Sequence, residues 1–279
     1  MAVTVEIRRG TARFVDREAG RRTQHAFSFG AHYDPQRLEL GPMVCHDDHL
    51  LGAGRGFETH RHSDLLIVSW VVEGALVHTG SAAGEVTLGP GSVAVLSAGS
   101  DGVDHAEHAA SSGPCRFVQV WLRPGEESEV LVQPGDYQHA TPDVVPDTAQ
   151  PLAQPRLDAV LWLVRLSGDP AVAVELPTAP LVHAYVATGA LLRSSLAEPL
   201  ATGDAFVMTD EPAHTVSAGV PTDLLVWTFH DGPAPVFLHR TGAAGHWTTH
   251  PGGGRDLDAE RATAASAADD RPPLGDLRL

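Results

Sequence analysis

The chain has little that would suit it to an oxidising or apolar setting. Two cysteines in 279 residues, Cys45 and Cys115, cannot build a disulfide framework. Reduced thiols in a cytoplasmic protein fit that count. No apolar run approaches the roughly 18 residues that a bilayer-spanning helix needs, so no membrane span is expected. The opening residues, MAVTVEIRRGTARF, place charges where a signal peptide would carry its apolar stretch. Basic residues are also few: 19 Lys plus Arg face 35 Asp plus Glu, for a formal charge of -16. Phosphate binding needs a basic stripe, and none is visible, so a nucleic-acid surface is excluded. Helical periodicity is absent before residue 125 and confined to short stretches after it.

Glycine, proline and histidine, by contrast, are plentiful. The 28 glycines and 21 prolines are spread along the chain, as many short strands joined by turns would require. Leu65–Val72 (LLIVSWVV), Ala75–Thr79, Val93–Ser97 and Arg116–Leu122 read as strands, and Leu88-Gly89-Pro90-Gly91 reads as a turn between two of them. The pattern predicts an all-β protein, an antiparallel sandwich or barrel. The second half repeats the first. VEGAL (Val72–Leu76) resembles ATGAL (Ala187–Leu191), LGPGSVAVLSAG (Leu88–Gly99) resembles LATGDAFVMTDE (Leu200–Glu211), and FVQVWL (Phe117–Leu122) resembles LLVWTF (Leu224–Phe229). The offset between copies shrinks steadily along the chain, as shorter hairpins in the second copy would cause. Two tandem β barrels are therefore expected: one over residues 1–124, a Pro- and acid-rich linker over 125–155, a second over 156–245, and a mobile tail over 246–279.

Sixteen histidines are many for this length. In a strand, residues i and i+2 share a face, so His60 and His62 of Phe57-Glu58-Thr59-His60-Arg61-His62 can point together into a barrel. Beyond the turn and strand of Leu88–Gly99, His105 and Glu107 form a second i, i+2 pair. Three imidazole nitrogens and a carboxylate suit Fe(II), Mn, Co, Ni or Cu and leave up to two octahedral positions open. His108 is one residue out of phase and should face away. His46 and His49, in CHDDHL, read either as lining the mouth of the site or, more plainly, as a solvated loop, and His78 as a barrel-wall residue. Asp64 is a candidate to orient a liganding imidazole. Cys45 and Cys115 read as small buried apolar groups. Carrying the offset to the second copy places Glu175 and Pro177 where His60 and His62 stand, and His183 and His214 alone do not complete a site. The second barrel reads as structural.

Three stretches together resemble the pirin family of the cupin superfamily. Ser28-Phe29-Gly30-Ala31-His32-Tyr33-Asp34-Pro35 is similar to the family's SFG-x-HYDP. Gly56–Asp64 followed by LLIVSWVVEGALVHTGS is similar to its GFxTHPHxDxEIVTYVLEGxLxHxDS. Ser97-Ala98-Gly99-Ser100 followed by DGVDHAE stands for its ligand turn. The resemblance implies two cupin barrels (a bicupin of double-stranded β-helix, or jelly-roll, domains). It implies one metal, iron as a rule, held by His60, His62, His105 and Glu107. In several members it implies quercetin 2,3-dioxygenase-like activity on a small aromatic substrate with O₂; other members are regulators that bind a protein partner. Departures are Arg61 for the usual proline, Leu66 for a glutamate, and an altered turn carrying Asp101 and Asp104. Three functions stay open at this point: a dioxygenase with Glu107 as ligand and proton acceptor, an iron-dependent redox regulator, and another metalloenzyme such as an isomerase. A monomer is expected.

Overall fold

The computed structural model describes residues 4–126, 129–191, 193–194, 199–234, 236–241 and 246–251. Among them there is no α-helix, a 3-10 turn lies at Gly10–Ala12, and no helix is long and apolar enough to cross a membrane. The rest is antiparallel sheet, as the glycine, proline and strand pattern predicts.

The first barrel sets a seven-stranded sheet against a four-stranded one. The large sheet runs Tyr137–Ala140, Val93–Ser97, Leu66–Glu73, Cys115–Leu122, Met43–Leu51, Arg21–His25 and Phe14–Glu18 in spatial order. The small sheet runs Gly56–His62, Val103–Ala109, Leu76–Gly80 and Gly84–Leu88. Val71, Ala94 and Phe117 of the large sheet share one apolar cluster with Leu76, Leu88 and Ala109 of the small sheet, which fills the space between them.

The second barrel is built on a six-stranded sheet: Thr4–Arg8, Ala205–Thr209, Leu181–Thr188, Thr222–Phe229, Ala159–Leu166 and Thr148–Arg156. The two large sheets pack on each other. Val68, Trp70, Val118 and Val120 from the first join Leu161, Leu163, Tyr185, Leu225 and Trp227 from the second in one buried cluster. The strand Leu66–Glu73 is therefore covered on both faces, which is why its sequence reads as an unbroken apolar run rather than an alternation.

Both barrels borrow a strand from outside their expected limits. Thr4–Arg8 pairs with Ala205–Thr209 of the second barrel. Tyr137–Ala140, inside the stretch 125–155 expected as a linker, pairs with Val93–Ser97 of the first. That stretch also supplies most of Thr148–Arg156, so it is strand-bearing rather than a plain connection. Edge strands need pairing on one side only, so a polar, proline-containing segment can serve. Of the stretch expected as a tail, 246–251 pairs as a strand with 236–241, and 252–279 lie outside the described residues.

Asp204 fastens the N-terminal strand to the second barrel. Its carboxylate accepts hydrogen bonds from Gly10 N (2.7 Å), an Arg9 Nη (3.0 Å) and Ala201 N (3.1 Å). Asp204→Ala strands these donors, so it should cost about 2 kcal/mol and lower the melting temperature by about 5 °C. Thermal unfolding that matches the parent would show the arm is held by its strand pairing alone.

Candidate metal centre

The strand Gly56–His62 lies antiparallel to Val103–Ala109, with His60 opposite His105 and His62 opposite Val103. The ladder then slips, because Glu107 pairs with Phe57 rather than with the residue that regular spacing would supply. Such a bulge re-aims side chains at a barrel rim. Gly56 permits the crossing: a Cβ there would lie 1.9 Å from the Glu107 carbonyl oxygen. No other residue fits without moving a strand.

Three imidazoles converge in the regular part of the ladder, before the slip. The rings of His60 and His105 are 4.5 Å apart, those of His60 and His62 4.8 Å, and those of His62 and His105 5.2 Å between centroids. Their candidate donor nitrogens lie within 4.8 Å of one another. Glu107 falls into a second, fully buried group with His105 and His78, also within 4.8 Å. The four residues expected as ligands thus occupy two overlapping triads that share His105. His78 is not a passive wall residue. It stacks on Tyr137 (centroids 3.9 Å apart, planes at 15°) and sits opposite Glu107 in the neighbouring strand.

The electrostatics suit a cation. Burial first, then the neighbouring imidazoles, pushes the His105 pKa down to about 3. Burial and His60 push His62 down to about 4, and burial and His139 do the same to His78. All three are neutral at pH 7 and offer lone pairs. Both ring nitrogens of His105 and both of His78 are buried without a hydrogen-bond partner, an arrangement that costs about 1–3 kcal/mol per group unless something binds there. His60 bonds the Glu58 carbonyl oxygen through Nδ1 (2.7 Å). The donated proton leaves Nε2 as its free donor atom. A backbone carbonyl therefore does what was expected of Asp64, which is exposed and bonds through its own N–H to the Gly99 carbonyl.

Glu107 is held by an amide that sequence reasoning passed over. Gln119 Nε2 lies 3.0 Å from both Glu107 carboxylate oxygens, and Gln119 Oε1 accepts the Trp121 indole N–H at 2.9 Å. Burial raises the Glu107 pKa to about 7, with Gln119 opposing the rise. The lone amide in the apolar run FVQVWL was the available signal. Trp121 also packs edge-on against His62 at 4.7 Å.

His60, His62, Glu107 and Gln119 line an open cavity of about 430 Å³, walled by Phe29, Phe57, His49 and Trp121, a size in the usual range for small-molecule sites. At its rim His25 bonds Asp47 (2.8 Å) and Asp16 (3.2 Å), and His32 bonds Asp16 (2.7 Å). Burial alone would lower the His25 pKa, but the two carboxylates raise it. The other expectations divide. His108 faces out towards Glu58, and Arg61 turns away to Asp104 at 2.6 Å. Cys45 and Cys115 are free and buried. CHDDHL, however, is a buried central strand and not a solvated loop: His49 lines the cavity, while His46 lies between the barrels. Its acidic residues are buried because each meets a cation or donor, Asp48 bonding Arg116 at 2.6 and 3.0 Å and Asp47 bonding His25. In the second barrel His214 pairs with Glu211. Among the described residues, both clusters able to hold a metal are in the first barrel.

Comparison with known proteins places this site in context. A family model described as Pirin matches residues 7–122. A Mycobacterium tuberculosis protein named "Putative quercetin 2,3-dioxygenase" is 34% identical over 240 residues, covering 82% of this chain and 97% of that one. Quercetin 2,3-dioxygenase of Escherichia coli K12 is 34% identical over 103 residues, 37% of this chain and 44% of the other. The crystal structure of a bacterial pirin from Escherichia coli in complex with nickel(II) has the same fold, with a TM-score of 0.72 at 23% identity over 83% of this chain and 100% of that one.

A carboxyl whose pKa is raised on folding stabilises the fold less once it must ionise. In the metal-free protein Glu107 should therefore contribute its full share of stability below about pH 4.5 and lose about 3 kcal/mol of it as pH rises through about 7. The buried neutral histidines lower stability as pH falls below about 6.5, in parent and variant alike. Metal-free Glu107→Gln should lack the Glu107 part alone, so in denaturant unfolding the stability of the parent relative to the variant should fall by about 2 kcal/mol between pH 5 and pH 8. Equal pH dependence in both would show that Glu107 is not a burdened carboxyl.

Proposed function

The chain belongs to the pirin family, and from that premise we propose that it is a bicupin dioxygenase with quercetin 2,3-dioxygenase-like activity on flavonol-type substrates. Its first barrel carries one divalent metal held by His60, His62, His105 and Glu107, and its second barrel carries none. The observation that supports this best is the cluster of three imidazoles, His60 and His62 of which line an open cavity, with the buried Glu107 carboxyl grouped with the third, His105. An open cavity favours an enzyme over a regulator whose pocket its own N-terminal segment would block. Fe(II) is the metal proposed, and the same donors accept Mn, Co, Ni or Cu; nickel is the ion named for the Escherichia coli pirin. A cytoplasmic, monomeric protein fits this reading.

A bound divalent ion would supply Lewis acidity towards a substrate oxyanion and, for iron, one-electron exchange with O₂. The remaining work falls to side chains. Phe29, Phe57 and Trp121 offer apolar faces to a flat aromatic ring system. A flavonol must lose its hydroxyl proton to react, and Glu107 is the acceptor proposed. Its pKa of about 7 is matched to accepting a proton near neutrality, and Gln119 fixes both oxygens without adding charge. Trp121 holds Gln119 in turn.

Metal analysis coupled to oxygen uptake with quercetin tests the reading. One equivalent of metal per chain is expected, together with oxygen consumption. Glu107→Gln should lower turnover at least about 10²-fold while retaining metal, and His62→Ala should lose metal and activity together. A stoichiometry near two removes the single-site assignment. A metal-replete Glu107→Gln variant turning over at the parental rate removes the base assignment. A metal-loaded parent that consumes no oxygen with any flavonol transfers the site to the regulator reading.

A further inference from the structure

The seam between the barrels holds a second polar centre that the metal chemistry does not use. A cavity of about 30 Å³ lies where the N-terminal arm, the first barrel and the second barrel meet, lined by Arg8, Arg9, Arg13, Arg37 and His183 with alanines between them. Four arginines around one small space are conspicuous in a chain of net charge -16 that contains no lysine. No carboxylate appears in that lining.

Three of the four cations have their own counter-charge. Arg8 is paired with Glu6 at 2.9 and 3.0 Å, Arg9 with Asp204 at 3.0 Å, and Arg37 with Asp34 at 3.4 Å. Arg13 has none. It is 9% exposed and donates to the carbonyls of Gln24 (3.1 Å) and His46 (3.3 Å) and to His46 Nδ1 (3.1 Å), and its guanidinium lies 4.7 Å over the Tyr185 ring. The Asp48 carboxylate beneath Tyr185 is occupied by Arg116 and the Tyr185 hydroxyl. Taking a guanidinium out of water without a counter-charge costs several kcal/mol. Facing the same cavity, His183 is 1% exposed, and neither of its ring nitrogens has a hydrogen-bond partner. Burial first, then Arg13 and Arg8, pushes its pKa down to about 3, so it is a neutral imidazole with one N–H to donate.

We propose that this cavity is a binding site for one small monovalent anion, the size of chloride or of a carboxylate group, held between Arg13 and His183. A water molecule could meet the His183 N–H but would leave the Arg13 charge unbalanced. A tetrahedral dianion is too large, because 30 Å³ accommodates only one or two water-sized centres. Arg13 follows the N-terminal strand, whereas His183 belongs to the central strand Leu181–Thr188 of the second barrel. The anion would therefore tie the exchanged arm to the barrel that receives it and act as a removable clamp across the seam. Its place is separate from the metal cavity, and nothing in the proposal depends on the dioxygenase reading.

The test uses the full-length, metal-loaded protein in sodium chloride, sodium formate or sodium gluconate at equal ionic strength, gluconate being too bulky to enter. Chloride, formate or both should raise the melting temperature by about 3 °C over gluconate. A gain with chloride alone marks a spherical site, and a gain with formate a carboxylate site. Crystals soaked in bromide should show an anomalous peak between Arg13 and His183. Arg13→Met should abolish both signals, and His183→Phe, which keeps the ring but removes its nitrogens, should weaken the peak and the shift without unfolding the chain. Identical melting in all three salts, a shift that survives in His183→Phe and Arg13→Met, or parent crystals without a bromide peak would each overturn the proposal. If Arg13→Met does not fold, the His183→Phe comparison and the bromide peak decide it.

Discussion

The metal centre depends on a close approach of two backbones. Gly56 passes so near the Glu107 carbonyl that a methyl group there would overlap it, and this contact lets the strand bulge between His105 and Glu107. The slip shifts the strand partner of Glu107 to Phe57 and leaves the ladder regular from His105 to Val103. In that regular part His60 and His105 face each other across the strands, and His62 reaches in from the next position on the same face. Geometry of this kind comes from main chain, so it persists whether or not an ion is present.

The site is also one of tension. His105, His78 and Glu107 are buried in a space too tight for water, which leaves four ring nitrogens unmet and a carboxyl whose ionisation burial opposes. A core evolved for stability alone would replace them with apolar groups of similar volume. Keeping them is sensible where a cation can use the lone pairs and the carboxylate. The two triads sharing His105 also show how Glu107 is managed: Gln119, which lines the open cavity with His60 and His62, bonds both its oxygens, so joining those histidines around one ion requires the carboxylate to give up part of that hold.

The parts of this arrangement that follow local rules were legible in the sequence. His60 with His62, and His105 with Glu107, are period-two pairs, and the two-barrel plan shows in the repeat of glycine turns. The parts that follow from register were not. His78 looked like one polar residue in a wall because nothing in the sequence says that it lies opposite Glu107. CHDDHL looked solvated because its acidic pair implies water, but Arg116 and His25, distant in the chain, neutralise those carboxylates inside the protein. The polar stretch 125–155 looked like a linker because an edge strand needs no apolar alternation. The chain's long-range pairings decide these cases, and a single sequence does not display them.

The same pairings explain why the second barrel remains although its histidine pair is lost. Its large sheet covers the outer face of the first barrel's large sheet, and the residues that do so, among them Tyr185, Leu225 and Trp227, are core to both. Through Tyr185, Asp48 and Arg116, which reaches the Ala187 carbonyl at 2.9 Å, the seam carries a hydrogen-bonded chain from one barrel to the other. Asp48 and Gln119 lie on adjoining strands of the sheet, where Gln119 sits opposite Asp47, so the strand that steadies the carboxyl of the metal centre is itself fixed by the seam. The second barrel thus supports the candidate site from behind, and among the described residues both clusters able to hold a metal lie in the first barrel. It keeps the back of the first barrel dry and its central strands in register, which is what a buried, unevenly charged cluster of donors requires.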